Sequence, residues 1–217
     1  KGGKIFDSYG NVLDSNFFDK EGIKPTEPTK IYQGSAENVA WTSDIHLDDN
    51  GYPFIAFSVQ KNSGGLPPKK GGDDHRYHYA RWNGIKWLEY EIAYAGTKLY
   101  AGEDDYTGNI ALDPNELRIV YISTDANPVT GRALISEADN KRHYEIFRGE
   151  TPDSGITWIW FPITENSTMD NIRPIVPVWN KDSTTLLWMR GTYNTYMNYN
   201  TDIVGIITTQ SIQVDSS

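Results

Sequence analysis

Histidine, tyrosine and arginine stand at several positions in this chain where they could act on, or hold, an anionic ligand. His46 and Tyr106 have the chemistry of general acids or bases, and Arg173 that of a carboxylate binder. A second group lies in "DDHRYHYARW". Strand alternation puts His75, Tyr77, Tyr79 and Arg81 on one face, and Arg76, His78 and Ala80 on the other. Tyr77, Tyr79 and Arg81 together could bind an acidic sugar; aromatic packing within an ordinary strand is the competing reading. His75 and His78 make a weak metal pair, because a spacing of three on a strand sends the rings to opposite faces. Glu103, Asp104 and Asp105 in "AGEDDYTGN" could hold a calcium ion or form a solvated acidic loop. "TPDSGITW", residues 151–158, puts an acid, a glycine and a tryptophan close together. It could be a catalytic acid beside a binding ring, or a tight turn.

The elements that must position these residues are short strands. No stretch of ten or more residues has a 3.6-residue apolar period, so helices are not expected. Apolar runs punctuated by Gly, Pro, Asn and Asp predict strands at 53–60, 77–82, 86–93, 117–124, 143–148, 157–162, 185–190 and 202–208. Residues 62–75 read as a long Gly/Pro-rich surface loop. His143 and Arg148 fall in a strand and read as structural.

Internal similarity organises the strands. "DIHLDDNGYPFIAF", "NIALDPNELRIVYI" and "NIRPIVPVWNKDSTTLLWM" align on Ile45, Ile110 and Ile172, spaced 65 and 62 residues apart. A second feature, Gly followed three residues later by an apolar residue, recurs at Gly10, Gly84 and Gly155, spaced 74 and 71 apart. Two alternating hairpins give four strands per unit, which is the blade of a β-propeller. The expected fold is therefore an all-β propeller of four-stranded antiparallel blades, with three to four blades present; an unrelated β-sandwich is the alternative. The expected units are 1–35 (the end of one blade), 36–97, 98–165 with the turn, and 166–217. A ring normally needs at least four blades, so the chain is expected to be the C-terminal half of a longer propeller. The missing N-terminal blades are then its partners. A compact ring of four or five blades is the other possibility. Ile45, Ile110 and Ile172 would lie on innermost strands, with His46 and Arg173 at equivalent places near the axis and Tyr106 near one mouth of the channel.

The 151–158 stretch fits Ser/Thr-x-Asp-x-Gly-x-Thr-Trp and resembles the Asp-box, or neuraminidase repeat. "RWNGIKW" keeps only its Gly and Trp. Together with "YTGNIALDP", "HYEIFRGETPDSGITW", "DNIRPIVP" and "LLWMRGTY", it resembles the neuraminidase-repeat family that includes seven-bladed ulvan lyases, over roughly residues 40–208. In that family such turns lie on the outer rim. The resemblance thus makes Asp153, Gly155 and Trp158 structural. It implies a carbohydrate-active propeller acting on uronic-acid polysaccharide, most simply a lyase. β-Elimination needs a base at C5, an acid at the leaving oxygen and a cation at the carboxylate. His46 and Tyr106 would be the catalytic groups, and Arg173, Tyr77, Tyr79 and Arg81 the substrate-binding ones. No complete catalytic set can be carried over, so the segment could be inactive alone. The alternatives are a glycoside hydrolase releasing terminal rhamnose from glucuronate, and a non-catalytic sugar-binding propeller.

Composition agrees with this reading. With 7 Trp and 14 Tyr in 217 residues, the chain suits a β protein or a sugar binder, because flat rings favour strands and stack on sugars. A net charge of −9 argues against nucleic acid as the main partner, and no apolar run is long enough to span a membrane. The expected ligand is an anionic polysaccharide or oligosaccharide. The absence of cysteine excludes disulfides and thiolate metal sites. Calcium is the one candidate cofactor, and the sequence makes none certain. The expected location is secreted or periplasmic, although the start "KGGKIFDSYGN" does not read as a signal peptide. "NST" at 166–168 matches a glycosylation sequon, relevant only in a eukaryotic secretory host.

Overall fold

A computed structural model of the chain describes residues 3–19, 22–62, 65–67, 69–180 and 182–209. Parts of the expected 62–75 loop (63, 64 and 68), of the first unit (1, 2, 20 and 21) and of the last unit (181 and 210–217) lie outside the described residues. Among the described residues the fold is all β. The strands are β1 (Ile5–Phe6), β2 (Val12–Asp14), β3 (Val39–Leu47), β4 (Pro53–Gln60), β5 (His75–Trp82), β6 (Trp87–Gly96), β7 (Ile110–Leu112), β8 (Ile119–Thr124), β9 (Glu145–Glu150), β10 (Ile159–Pro162), β11 (Asp170–Ile175), β12 (Ser183–Thr195) and β13 (Asn198–Thr209). They form four antiparallel sheets in chain order: β1-β2, β3-β4-β5-β6, β7-β8-β9-β10 and β11-β12-β13. Among these residues no sheet closes on itself.

The sheets stack face to face. One core layer joins the β3–β6 sheet (Phe54, Ala56, Tyr77, Tyr79) to the β7–β10 sheet (Ile110, Leu112, Val120, Ile122). The opposite face of β7–β10 offers Ala111, Tyr121 and Ile146 to Val176, Leu186 and Trp188 of the last sheet and its approach. Period-two alternation explains how one sheet serves two layers, since Ile110 and Leu112 point one way and Ala111 the other. The first strands of successive sheets run beside one another. Asp44 of β3 accepts a hydrogen bond from the Leu112 N–H at 2.9 Å, and the Arg173 N–H donates to the Gly108 carbonyl at 2.8 Å.

The last sheet departs from the strand expectation. In place of two short strands it carries a long hairpin, β12–β13, paired from Ser183↔Thr209 to Thr195↔Asn198. Its distal half, "GTYNTYMNYNT", is mostly Asn, Thr and Tyr, with no apolar alternation to betray a strand. Cross-strand pairs such as Tyr193 with Tyr199 hold it instead.

Candidate functional site

Each first strand is irregular near the same place. β3 changes register between Thr42 and Asp44, and β11 between Ile172 and Ile175. Asn109, just before β7, has φ +83°, and Arg173 has φ +55°. A side chain with a Cβ in the left-handed region pays roughly 1–2 kcal/mol. Such bulges re-aim side chains and gather near functional sites. Here the bulge turns Arg173 out of the β11 alternation.

The redirected guanidinium lies between two tyrosines. Its carbon is 5.3 Å from the Tyr106 ring centre and 5.0 Å from that of Tyr193. Nη2 donates to the Tyr193 hydroxyl at 3.0 Å, whereas the buried Nε has no hydrogen-bond partner. A buried guanidinium N–H left unpaired is rare and costly, so it invites an anionic acceptor. Burial raises the Tyr106 hydroxyl above its ordinary value, against the opposing pull of Arg173. Tyr106 therefore keeps its proton through the neutral range.

More rings extend the cluster. Trp41 of β3 meets Tyr106 edge-on at 6.3 Å, Tyr100 meets Tyr106 at 6.4 Å and Tyr193 at 5.8 Å, and Tyr193 stacks on Tyr199 at 5.6 Å and 18°. The loop carrying Tyr100 and Tyr106 is clamped. The Leu99 N–H donates to the Tyr106 carbonyl at 2.6 Å and the Thr107 hydroxyl to the Ala95 carbonyl at 2.9 Å. The buried Asp125 accepts from the Thr97 N–H at 2.9 Å and pairs with Arg142 at 2.8 Å. Pre-set side chains of this kind lose little entropy when a ligand arrives.

Tyr106 and Arg173 are thus brought together, and the other expected site residues are not. His46 is five residues along β3 from Trp41, about 17 Å at roughly 3.3 Å per residue. It pairs with Asp44 at 3.4 Å and leans on Phe54. Tyr77 and Tyr79 are fully buried between two sheets, with their hydroxyls bonded to the Ser123 and Leu117 carbonyls at 2.7 and 3.0 Å. They have no surface on which a sugar could stack; the face that alternation assigns them is covered by the next sheet. Arg81 is half-buried on β5, two strands away from β3. His75 and His78 are both buried. His78 bonds Glu89 at 2.5 Å, and neither His75 nitrogen has a partner.

The acidic triplet does not converge. Asp104 turns inward, accepting from the Gly71 N–H at 3.2 Å and pairing with Lys98 at 3.6 Å. Among the described residues no cluster of three His, Cys, Asp or Glu side chains could hold a metal ion. His143 bridges Asp139 at 2.9 Å and Asp170 at 3.3 Å, and Arg148 pairs with Glu150 at 3.0 Å.

The 151–158 turn is self-contained. Asp153 accepts from the Thr157 N–H at 2.8 Å and the Thr157 hydroxyl at 2.7 Å, and the Thr151 hydroxyl accepts from the Gly155 N–H at 2.8 Å. Gly155 has φ +103° and abuts Tyr79, where an added Cβ would lie 2.8 Å from the ring. Trp158 meets Tyr79 edge-on at 5.5 Å and donates to the Gly155 carbonyl at 3.0 Å. The turn so fastens one sheet to its neighbour.

Sequence reasoning missed Trp41, Tyr193 and Tyr199. The signal for Trp41 was present, because Trp41 and Tyr106 each stand four residues before the aligned Ile45 and Ile110. Tyr193 and Tyr199 sit in the hairpin that had no apolar pattern. Compared with known proteins, the chain matches no family model and no curated protein.

Proposed function

We propose that the chain is part of a carbohydrate-active β-propeller whose inner strands hold a uronic-acid polysaccharide at Arg173 and Tyr106. The observation that carries the reading is the strained Arg173, stacked between Tyr106 and Tyr193 with a buried, unpaired Nε. Support for the propeller comes from serial antiparallel meanders whose first strands lie side by side. The resemblance of 151–158 to the neuraminidase repeat, and the way that turn locks adjacent sheets, point the same way.

The chemistry we favour is β-elimination. Arg173 pairs with the uronate carboxylate and so acidifies the C5 proton. A base takes that proton, the electron pair of the C5–H bond forms the C4–C5 double bond, and the C4–O bond breaks. Tyr106, still protonated, donates to the departing oxygen. Most glycoside hydrolases flank the bond with two carboxylates, whereas the groups in contact with Tyr106 and Arg173 are rings. Binding without turnover is the second reading, favoured by the separation of His46 from Tyr106, which leaves the C5 base unassigned.

The test incubates the protein with a panel of uronate polysaccharides, including ulvan. Elimination produces the ultraviolet absorbance of unsaturated uronates, and Tyr106→Phe removes it. New reducing ends without that absorbance would indicate hydrolysis; binding with neither would leave the sugar-binding reading. No binding to any acidic glycan would end all three.

A further inference from the structure

We infer that the ligand is held along an open aromatic ladder and is therefore the interior of a chain rather than a chain end. This rests on the reading that the site takes an acidic glycan. The rungs are Trp41, Tyr106, Arg173, Tyr193 and Tyr199. Consecutive members are 6.3, 5.3, 5.0 and 5.6 Å apart, measured between ring centres or from the guanidinium carbon. Each side chain touches the next, so the row is continuous from Trp41 to Tyr199, with Arg173 and the buried Tyr193 at its centre.

The two ends of the ladder are open. Trp41 is 49% exposed and Tyr199 is 55% exposed, whereas Tyr193 between them is 7% exposed. Large exposed rings flanking a buried polar centre are the arrangement in which the centre fixes orientation and the rings add contact area. The rings come from two sheets and a loop between them in the chain: Trp41 from β3, Tyr106 from the loop before β7, and Tyr193 and Tyr199 from β12 and β13. A single sugar can reach only the Arg173 centre. A longer chain reaches Trp41 in one direction and Tyr199 in the other. Trp41 and Tyr199 are thus length-determining residues, and Arg173 is the charge-determining one.

The experiment is calorimetric titration of the whole protein with uronate oligosaccharides of increasing length, from the monosaccharide upward, and with neutral cello-oligosaccharides as controls. Affinity is expected to rise at least tenfold between the monosaccharide and the longest uronate, and the neutral series to bind weakly at every length. Trp41→Ala and Tyr199→Ala should each remove about tenfold from the longest ligand and leave the monosaccharide within twofold. Unchanged monosaccharide binding shows that Tyr106 and Arg173 have stayed in place. Trp41→Phe and Tyr199→Phe, which keep a ring, should restore most of the loss. Arg173→Ala should weaken every uronate.

If Arg173→Ala abolishes binding and the two ring variants behave like wild type at every length, the ladder is wrong and the acidic-glycan reading stands. A loss in only one of the two ring variants also overturns the ladder, since it would mean that chain ends are bound. If the wild type binds no uronate of any length, the underlying reading fails and the ladder fails with it.

Discussion

The 151–158 turn and the Arg173 cluster are made from the same kinds of parts and do opposite things with them. Each has a charged side chain beside aromatic rings on a residue or turn with positive φ. In the turn every polar group is answered, Asp153 by Thr151 and Thr157 and Trp158 by Gly155, with Ser154 (φ +65°) and Gly155 (φ +103°) taking its positive φ values. In the cluster the strained position is an arginine, one buried N–H is unanswered, and the rings at both ends face solvent. What differs is whether each polar group finds a partner within the protein, which residue type alone does not show.

The comparison predicts that stability resides at the turn and its socket. Tyr79→Ala should have the largest effect, about 3–5 kcal/mol, because it empties a fully buried site under Gly155 and Trp158. Gly155→Ala comes next at about 2–3 kcal/mol, combining a disfavoured φ with a contact against the Tyr79 ring. Urea unfolding measures both. If Gly155→Ala matched wild type, the turn would not fasten the two sheets.

The sequence revealed this half of the comparison better than the other. Repeat spacing placed Ile45, Ile110 and Ile172 on the first strands of the last three sheets, and Gly84 and Gly155 in turns between third and fourth strands. Glycine, proline and alternation are local signals, and they carry that much. They do not say what lies across a face. Tyr77 and Tyr79 shared a face as expected, yet a neighbouring sheet, and not solvent, covers it. Nor does alternation survive a bulge. His46 and Arg173 occupy matching sequence positions, but β3 is irregular before its isoleucine and β11 after it, so the two side chains point to different places. The Arg173–Tyr193 contact joins β11 to the distal part of β12, 20 residues on, where the sequence carries no strand pattern.

The cluster itself should be cheap to dismantle. Arg173→Gly removes the strain at φ +55° and the unpaired Nε, and loses the Nη2 hydrogen bond to Tyr193, worth about 1 kcal/mol, and two stacking contacts worth roughly 0.5–1 kcal/mol each. These terms nearly cancel, so urea unfolding should place the variant within about 1 kcal/mol of wild type. Uronate binding should nevertheless be lost. A large loss of stability would make Arg173 structural, like Asp153, and erase the contrast between the two regions.

The smallest effect belongs to Asp153, and pH isolates it. The Thr157 N–H, the Thr157 hydroxyl and the Thr151 hydroxyl hold its carboxyl below the ordinary value of 3.8. A carboxyl depressed in the folded state stabilises the fold above the unfolded value, and that contribution disappears as pH falls through the folded one. Thermal midpoints of wild type and Asp153→Asn should therefore differ most at neutral pH. The gap should begin to close below pH 3.8 as the wild-type carboxylate protonates. Asp7 is held down in the same way by Asn11, so both proteins will lose stability in acid, and the difference between them is the informative quantity. A gap that stayed constant across that range would mean that the turn uses Asp153 for its shape and not for its charge.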